Sequence, residues 1–447
     1  MTSEYNQTTI NLKDNSPKSI LDIGLSDDII ENFKNQLYEI CSYTIKELQN
    51  NNDILFFSNK ISHIDDGVED YHIFHFNGSI INTTNVVGFL SLDNVDINIK
   101  SRFSREDDYF FYYLLSKVFD INITALEHSF TNDRGFSFLL FLFPYYFAKA
   151  LKTGIYKKYV TIYYNNSNVK GTIDFKRHLK YNLIDKSRIA YDTCEHSINN
   201  NITQLIRHTI EYIKTKPMGN VILKQKHIKE YINYIVQATP DYNKNQRQTV
   251  ISNNLKKLVH PYYYEYEPLR KLCVQILRHE KLLYNESSKK VYGILFNIAW
   301  LWEEYVNILL FPLGFAHYGK KIKNGANIYL LKNSIWQVFP DFVHDANKVV
   351  LDTKYKDLDK EDYPKAADKH QLISYMYTLQ SIKGGFVYPS NRTRDIKKYG
   401  EVLNIENSHI GQYPLFIPYN IDTMESFLIY IKEEENNFKN FFYQQSV

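Results

Sequence analysis

Cysteine is scarce, with three in 447 residues, Cys41, Cys194 and Cys273, all far apart. That spacing argues against a disulfide framework or a zinc site, and reads as reduced thiols in a cytoplasmic protein. Long hydrophobic runs are missing too. The most membrane-like stretch, "FSFLLFLFPYYFAKAL" from 136 to 151, is too short to span a bilayer and is broken by Pro144, so it reads as a core helix. The N-terminal "MTSEYNQTTINLKDNS" is polar throughout and carries no signal pattern. No Gly-x-x-x-x-Gly-Lys-Ser/Thr loop is present, so the chain is not expected to hydrolyse nucleotides by itself. A net charge of +3 is too small to announce nucleic-acid binding, although it leaves room for a local basic patch. No internal repeat is visible.

What is present suggests more than one domain, given the length. Residues 1 to about 105 mix short strand-like runs with polar connectors. "DDYFFYYLLSKVFD" and the apolar run after it read as helices. "YVTIYY" (159–164) and "KGTIDF" frame an Asn-rich turn and read as a hairpin. Residues 200 to 290 are mostly helical, with "TPDYNKNQRQT" as a connector. The expected regions are therefore 1–158 as an N-terminal α+β part, 159–289 as a hairpin plus helical part, and 290–447 as a mixed α/β core.

Chemistry concentrates in "VFPDFVHDANKVVLDTKYK", residues 338–356, where Asp341, Asp352 and Lys354 interrupt strand-like apolar sequence. Val338–Val343 and Val349–Leu351 read as strands and Asp345, with Asn347, as turn formers. With Ala346-Asn347 as the loop, Asp345 faces Lys348 and Asp341 falls opposite Asp352, with Cβ atoms about 5 Å apart. Asp352 and Lys354 share a face, about 7 Å apart along the strand. Two carboxylates this close share a proton or hold a hard divalent cation such as Mg²⁺. A lysine beside them can orient or deprotonate a water and stabilise phosphate charge. A surface hairpin with an ion pair fits the same residues, and both readings stay open here.

The flanks add polar residues. "YGILFNIAWLWEEYVNILLF" (292–311) is apolar nearly all round and reads as a buried helix, with Glu303 and Glu304 its only charges. "DKHQLISYMYTLQ" has a helical period that makes Gln371 and Tyr375 neighbours on one face. "GGFVYPS" reads as a further strand, with Gly384 and Gly385 ending the helix and Pro389 closing the strand. His72 and His75 in "YHIFHF" are set aside as structural, having no evident third ligand. The charge-rich 354–370, with Lys356, Lys365 and Lys369, and the basic "SNRTRDIKKYG" (390–400) are surface loops that can also meet DNA phosphates.

"FPD", "LDTKYK", "HQLISYMYTL" and "GGFVYPS", in this order and spacing, resemble the PD-(D/E)-x-K nuclease superfamily and, within it, the McrC subunits of McrBC-type modification-dependent (type IV) restriction systems. "VKGTIDFKRHLKYN" (169–182), "INNNITQLIRHTI" (198–210) and, less closely, "VVGFLSLDNVDINIKSRF" (86–103) are similar to further blocks of that family. The resemblance runs over roughly residues 80 to 390. It implies an α/β nuclease core with a mixed central sheet flanked by helices, preceded by an N-terminal partner-binding region and a helical middle. It implies Asp341 and Asp352 as metal ligands for Mg²⁺ (or Mn²⁺), Lys354 as the motif lysine, and Gln371 and Tyr375 on the helix beside the site. Glu303 aligns with a variable acidic ligand position, with Glu304 as the nearby substitute. Asp174 falls on a family motif without assigned chemistry. The implied partners are a hexameric McrB-like AAA+ GTPase, which residues before about 160 would contact, and modified double-stranded DNA. The competing expectations are a non-catalytic activator of the GTPase, in which the nuclease fold is only a scaffold, and a stand-alone repair nuclease.

Overall fold

The computed structural model describes residues 8–51, 53–57, 71–92, 95–105, 107–121, 134–184, 186–216, 219–282, 291–317, 328–331, 336–360 and 364–444. Two compact units emerge, one built from residues 1–124 and 289–447, the other from 125–288. These units do not coincide with the three consecutive regions expected above. The difference arises because the strand after residue 290 pairs with N-terminal strands.

The first unit opens with β1 (Thr8–Lys13), α1 (Asp27–Cys41), β2 (Asp53–Phe57), β3 (Val86–Leu92), β4 (Val95–Lys100) and α2 (Tyr109–Phe119). β3 and β4 form an antiparallel pair in which Leu90 meets Ile97, and β1 runs parallel to β4. In α1, Phe33, Leu37 and Ile40 recur at helical spacing and are buried with Ile10, Leu12, Ile97 and Ile99.

The second unit contains α3 (Arg134–Leu151), β5 (Lys158–Asn166), β6 (Thr172–Ile173), α4 (Phe175–Tyr181), β7 (Ile189–Ser197), α5 (Asn201–Lys214), α6 (Lys226–Ala238) and α7 (Tyr266–Leu282). α3 is the expected core helix, but it continues through Pro144, where a break is expected. No helix among the described residues is long and apolar enough to cross a membrane.

The expected hairpin is not formed: β7 lies between β5 and β6 and pairs antiparallel with both. The nine-residue β7 satisfies the whole length of β5, whereas β6 has only two ladder residues. Gly171 allows that close approach, since a Cβ there would lie 2.1 Å from the Asp192 carbonyl oxygen. Asp174 then caps α4, accepting from the Arg177 amide at 3.0 Å and pairing with its guanidinium at 2.7 Å.

Asn200 caps α5 through a reciprocal box with Thr203, and its Nδ2 donates to the carbonyls of Tyr156 (3.0 Å) and Ser197 (3.2 Å). Asn200→Ala removes the cap and strands buried acceptors, so it should cost about 2 kcal/mol. Urea unfolding measures it; an unchanged midpoint would show that the cap contributes little.

The chain re-enters the first unit with β8 (Val291–Asn297) and α8 (Ile298–Leu310). Residues 292–297 are thus strand, not the start of the expected helix. Fully apolar sequence has no period that separates a buried strand from a buried helix. Asn297 makes the division, its side chain capping the amides of Ala299 and Trp300. β8 pairs parallel with β2 and antiparallel with β3, completing a sheet of order β1-β4-β3-β8-β2.

The second sheet of this unit uses β9 (Ala316–His317), β10 (Phe342–His344), β11 (Val349–Thr353), β12 (Lys383–Ser390), β13 (Lys397–Gly400) and β14 (His409–Phe416). Helices α9 (Ala366–Leu379) and α10 (Met424–Gln444) belong with it. Its order is β9-β10-β11-β12-β14-β13, with β11, β12 and β14 parallel and the outer pairs antiparallel. The result is the mixed α/β fold expected from the sequence.

Gly384 and Gly385 lie inside β12 rather than at the end of α9, which Gln380 closes in the left-handed conformation. A Cβ on Gly384 would meet the Met376 sulfur of α9 at 2.3 Å, and one on Gly385 the Tyr413 ring at 2.1 Å. Successive strand residues point to opposite faces. α9 therefore covers one face, and Tyr413, packed on Phe441 and Phe442 of α10, the other.

Candidate active site

The β10–β11 turn has the register predicted from its sequence. Phe342 pairs with Leu351, Val343 with Val350 and His344 with Val349, so the next step places Asp341 across from Asp352. Lys348 takes a positive φ of 51° and donates its amide to the Asp345 carbonyl, closing the turn. Thr353 donates both its amide (2.6 Å) and its hydroxyl (2.7 Å) to Oδ2 of Asp341, which fixes that carboxylate against β11. Asp352 is only 2 % exposed. Its Oδ2 lies 2.5 Å from the Lys354 ammonium, an ion pair that lacks hydrogen-bond angles. Lys354 is held in the ladder by its amide bond to the Val387 carbonyl at 2.9 Å.

α9 supplies the other wall. Lys354 donates to Oε1 of Gln371 at 3.0 Å, Gln371 donates to the Tyr375 hydroxyl at 2.7 Å, and Tyr375 donates to the Phe339 carbonyl at 3.2 Å. This chain of bonds ties the α9 face to both strands. Asp368, in the first turn of α9 and 7 % exposed, lies 3.6 Å from Lys354 and 2.7 Å from Lys356. Sequence reasoning singled out Gln371 and Tyr375 but passed over Asp368. It sits three residues before Gln371 and seven before Tyr375, on the same helical face, where a first-turn carboxylate also suits the helix dipole.

The electrostatics follow from burial. Burial pushes Asp341 up to about 8, helped by the charges of Asp352 and Glu303 and opposed by the Thr353 bonds. Asp352 is raised by burial, while the Lys354 ammonium pulls it back. For Lys354 burial opposes the charge, but Asp352, Asp341 and Asp368 outweigh it, so the ammonium titrates above its usual range. Burial likewise raises the Tyr375 hydroxyl.

Glu303 is not drawn into the carboxylate pair. It contacts His317 Nε2 at 2.6 Å, although its charge still reaches Asp341. Glu304 accepts from the Trp300 indole at 3.1 Å. Among the described residues no group of three or more His, Cys, Asp or Glu is placed to hold a metal ion. The Asp341–Asp352 pair nevertheless fits a hard cation. It offers two carboxylates that repel each other, Asp352 offset by the Lys354 ammonium, and Mg²⁺ is commonly held by one or two carboxylates with water and phosphate completing the shell.

The loop basic residues have partners within the fold. Lys356 is paired with Asp368, Arg392 with Asp357 at 3.5 Å, and Arg394 with Glu434 at 2.7 Å. Lys365 and Lys369 are exposed, and residues 361–363 lie outside the described residues.

Among solved structures the chain is similar to a refined half-complex from a tetradecameric assembly of Thermococcus gammatolerans McrB AAA+ hexamers with bound McrC. There the identity is 17 %, the TM-score 0.49, and the match covers 96 % of this chain and 100 % of that one. The cryo-EM structure of the Thermococcus gammatolerans McrBC complex matches at 16 % identity and a TM-score of 0.31, covering 68 % of this chain and 87 % of that one. No curated protein matches. The model of one family, described as McrBC 5-methylcytosine restriction system component, matches residues 81–389, nearly the span marked out by the sequence blocks. That match extends over well more than half of the chain, which therefore belongs to the McrBC 5-methylcytosine restriction system component family.

Proposed function

We propose that this chain is the DNA-cleaving subunit of a McrBC-type system, a metal-dependent endodeoxyribonuclease of the PD-(D/E)-x-K type. The observation that carries this reading is the register that sets Asp341 against Asp352 beside the Lys354 ammonium. A divalent cation, Mg²⁺ or Mn²⁺, when bound supplies Lewis-acid polarisation of the scissile phosphate and a more acidic water. Asp341 and Asp352 would hold it, with Thr353 fixing the first carboxylate. Lys354 orients the attacking water and stabilises charge growing on the phosphate. Gln371 and Tyr375 keep the lysine in place. Glu303 is held by His317 through Oε1, and its charge reaches Asp341.

The chain has no nucleotide-binding loop, so the energy source is assigned to another subunit of the restriction system. We assign it a McrB-like AAA+ GTPase, with residues 1–158 as the contact region; in the Thermococcus gammatolerans assembly McrC is bound to McrB AAA+ hexamers. Modified double-stranded DNA is the substrate, and the cytoplasm the site of action.

The test is cleavage of methylated and unmethylated plasmid with Mg²⁺, with and without the GTPase and GTP, by wild type and Asp352→Ala. Cleavage that requires the partner and disappears in the variant, while GTP turnover is still stimulated, supports the proposal. Two observations favour a second reading, a non-catalytic activator: Glu303 is engaged by His317, and among the described residues no three-ligand group is assembled. Equal behaviour of wild type and Asp352→Ala would establish that reading instead.

A further inference from the structure

The proposed cation site contains a conflict. The Asp352 oxygen that would meet a cation already lies 2.5 Å from the Lys354 ammonium. A cation and an ammonium cannot both occupy the same face of one carboxylate oxygen, since like charges at that range repel strongly. A cation held at that oxygen would weaken the Lys354–Asp352 contact and shift the ammonium toward its other neighbours. The Lys354 side chain is 15 % exposed, so an ammonium left unpaired there would be costly.

We infer that Asp368 is the receiving partner, a positioning residue that takes the Lys354 ammonium when a divalent cation takes Asp352. The inference rests on the nuclease reading of Asp341 and Asp352. Four observations carry it. Asp368 already stands 3.6 Å from Lys354, long for a made contact and short enough to close by rotation of the lysine end. It is buried and reaches the site from the rigid first turn of α9, so it does not follow the lysine out to solvent. Lys356, 2.7 Å away, compensates its charge and so allows a buried carboxylate beside the lysine. Gln371 stays bonded to Lys354 at 3.0 Å, a pivot about which the ammonium can turn. The outcome is an ammonium held by Asp368 and Gln371 in place of Asp352.

Mn²⁺ affinity of the full chain, measured by titration calorimetry without DNA or partner, tests this through a double-mutant cycle. Asp368→Asn should weaken Mn²⁺ binding about tenfold, the scale of losing an outer partner of a metal ligand. In the Lys354→Met background, where no ammonium has to be relocated, the same change should weaken it at most about threefold. The simple loss of a negative charge, and the release of Lys356, are common to both arms and cancel. Asp368→Glu, which keeps the charge, should stay within about threefold of wild type and guards against a folding defect. Equal losses in both backgrounds would overturn the inference and leave the cation site standing. Absence of saturable Mn²⁺ binding by the wild type, with no change in Asp352→Ala, would overturn the cation reading and this inference together.

Discussion

Asp341→Asn should unfold at a higher temperature than the wild type at pH 8 and yet fail to cleave DNA. Burial, with the charges of Asp352 and Glu303, raises the Asp341 carboxyl from 3.8 to about 8 in the folded chain. The folded state therefore binds more protons than the unfolded state across that interval. Its stability contribution is complete below pH 4 and is lost as the pH rises toward 8. An asparagine amide has no proton to lose, and it can still accept both Thr353 bonds on its oxygen. The melting-temperature difference between variant and wild type should accordingly be small at pH 4, widen through neutrality and level off above pH 8. A constant difference over that range would mean that Asp341 is not electrostatically strained. Cleavage should fall on the order of a thousandfold, because about 4 kcal/mol of transition-state charge stabilisation is within what a bound metal supplies. Saturating Mg²⁺ should flatten the pH dependence of the wild type alone, since cation binding favours the ionised carboxylate.

The carboxylate pair was legible in the sequence because local rules decide it. An Asp and an Asn in the turn set the loop, and a two-residue side-chain period then carries the register back to Asp341 without tertiary information. Gln371 and Tyr375 followed from helical spacing alone. Other features depended on partners far along the chain. Tyr292–Asn297 becomes a strand because β2 and β3 offer it open ladders, which nothing in an all-apolar run announces. Gly384 and Gly385 look like helix terminators until Met376 and Tyr413 are seen against them. Asp368 was hidden differently: in a stretch crowded with lysines and acids, burial is what marks it, among the described residues, as a carboxylate that faces the site. The pairing of β6 with β7 was missed because ladder length, set by residues 189–197, outweighed the proximity of 159–164.

Arg102→Met should destabilise the protein by about 3–5 kcal/mol, the cost of leaving one member of a buried ion pair without its partner. Asp14 is 0 % exposed and receives the Arg102 amide (2.6 Å), Nε (2.8 Å) and Nη2 (2.5 Å). Even so, burial holds its carboxyl above the usual range, with Arg102 the principal counterweight. Without the guanidinium the acid must take up a proton or bury a bare charge. Asp14→Asn added to Arg102→Met should recover part of the loss, because an amide is cheaper to bury than a carboxylate. Urea midpoints of the two variants decide it, and a loss below about 1 kcal/mol would place the pair among exposed ion pairs. The effect should also reach the candidate site. The Arg102 guanidinium lies 5.0 Å from the Tyr355 ring, and the Tyr355 hydroxyl bonds Ser101 at 2.7 Å. Tyr355 directly follows Lys354. The end of β4 thus anchors the strand end that presents the lysine, and protein of the Arg102→Met variant that remains folded should cleave more slowly than wild type.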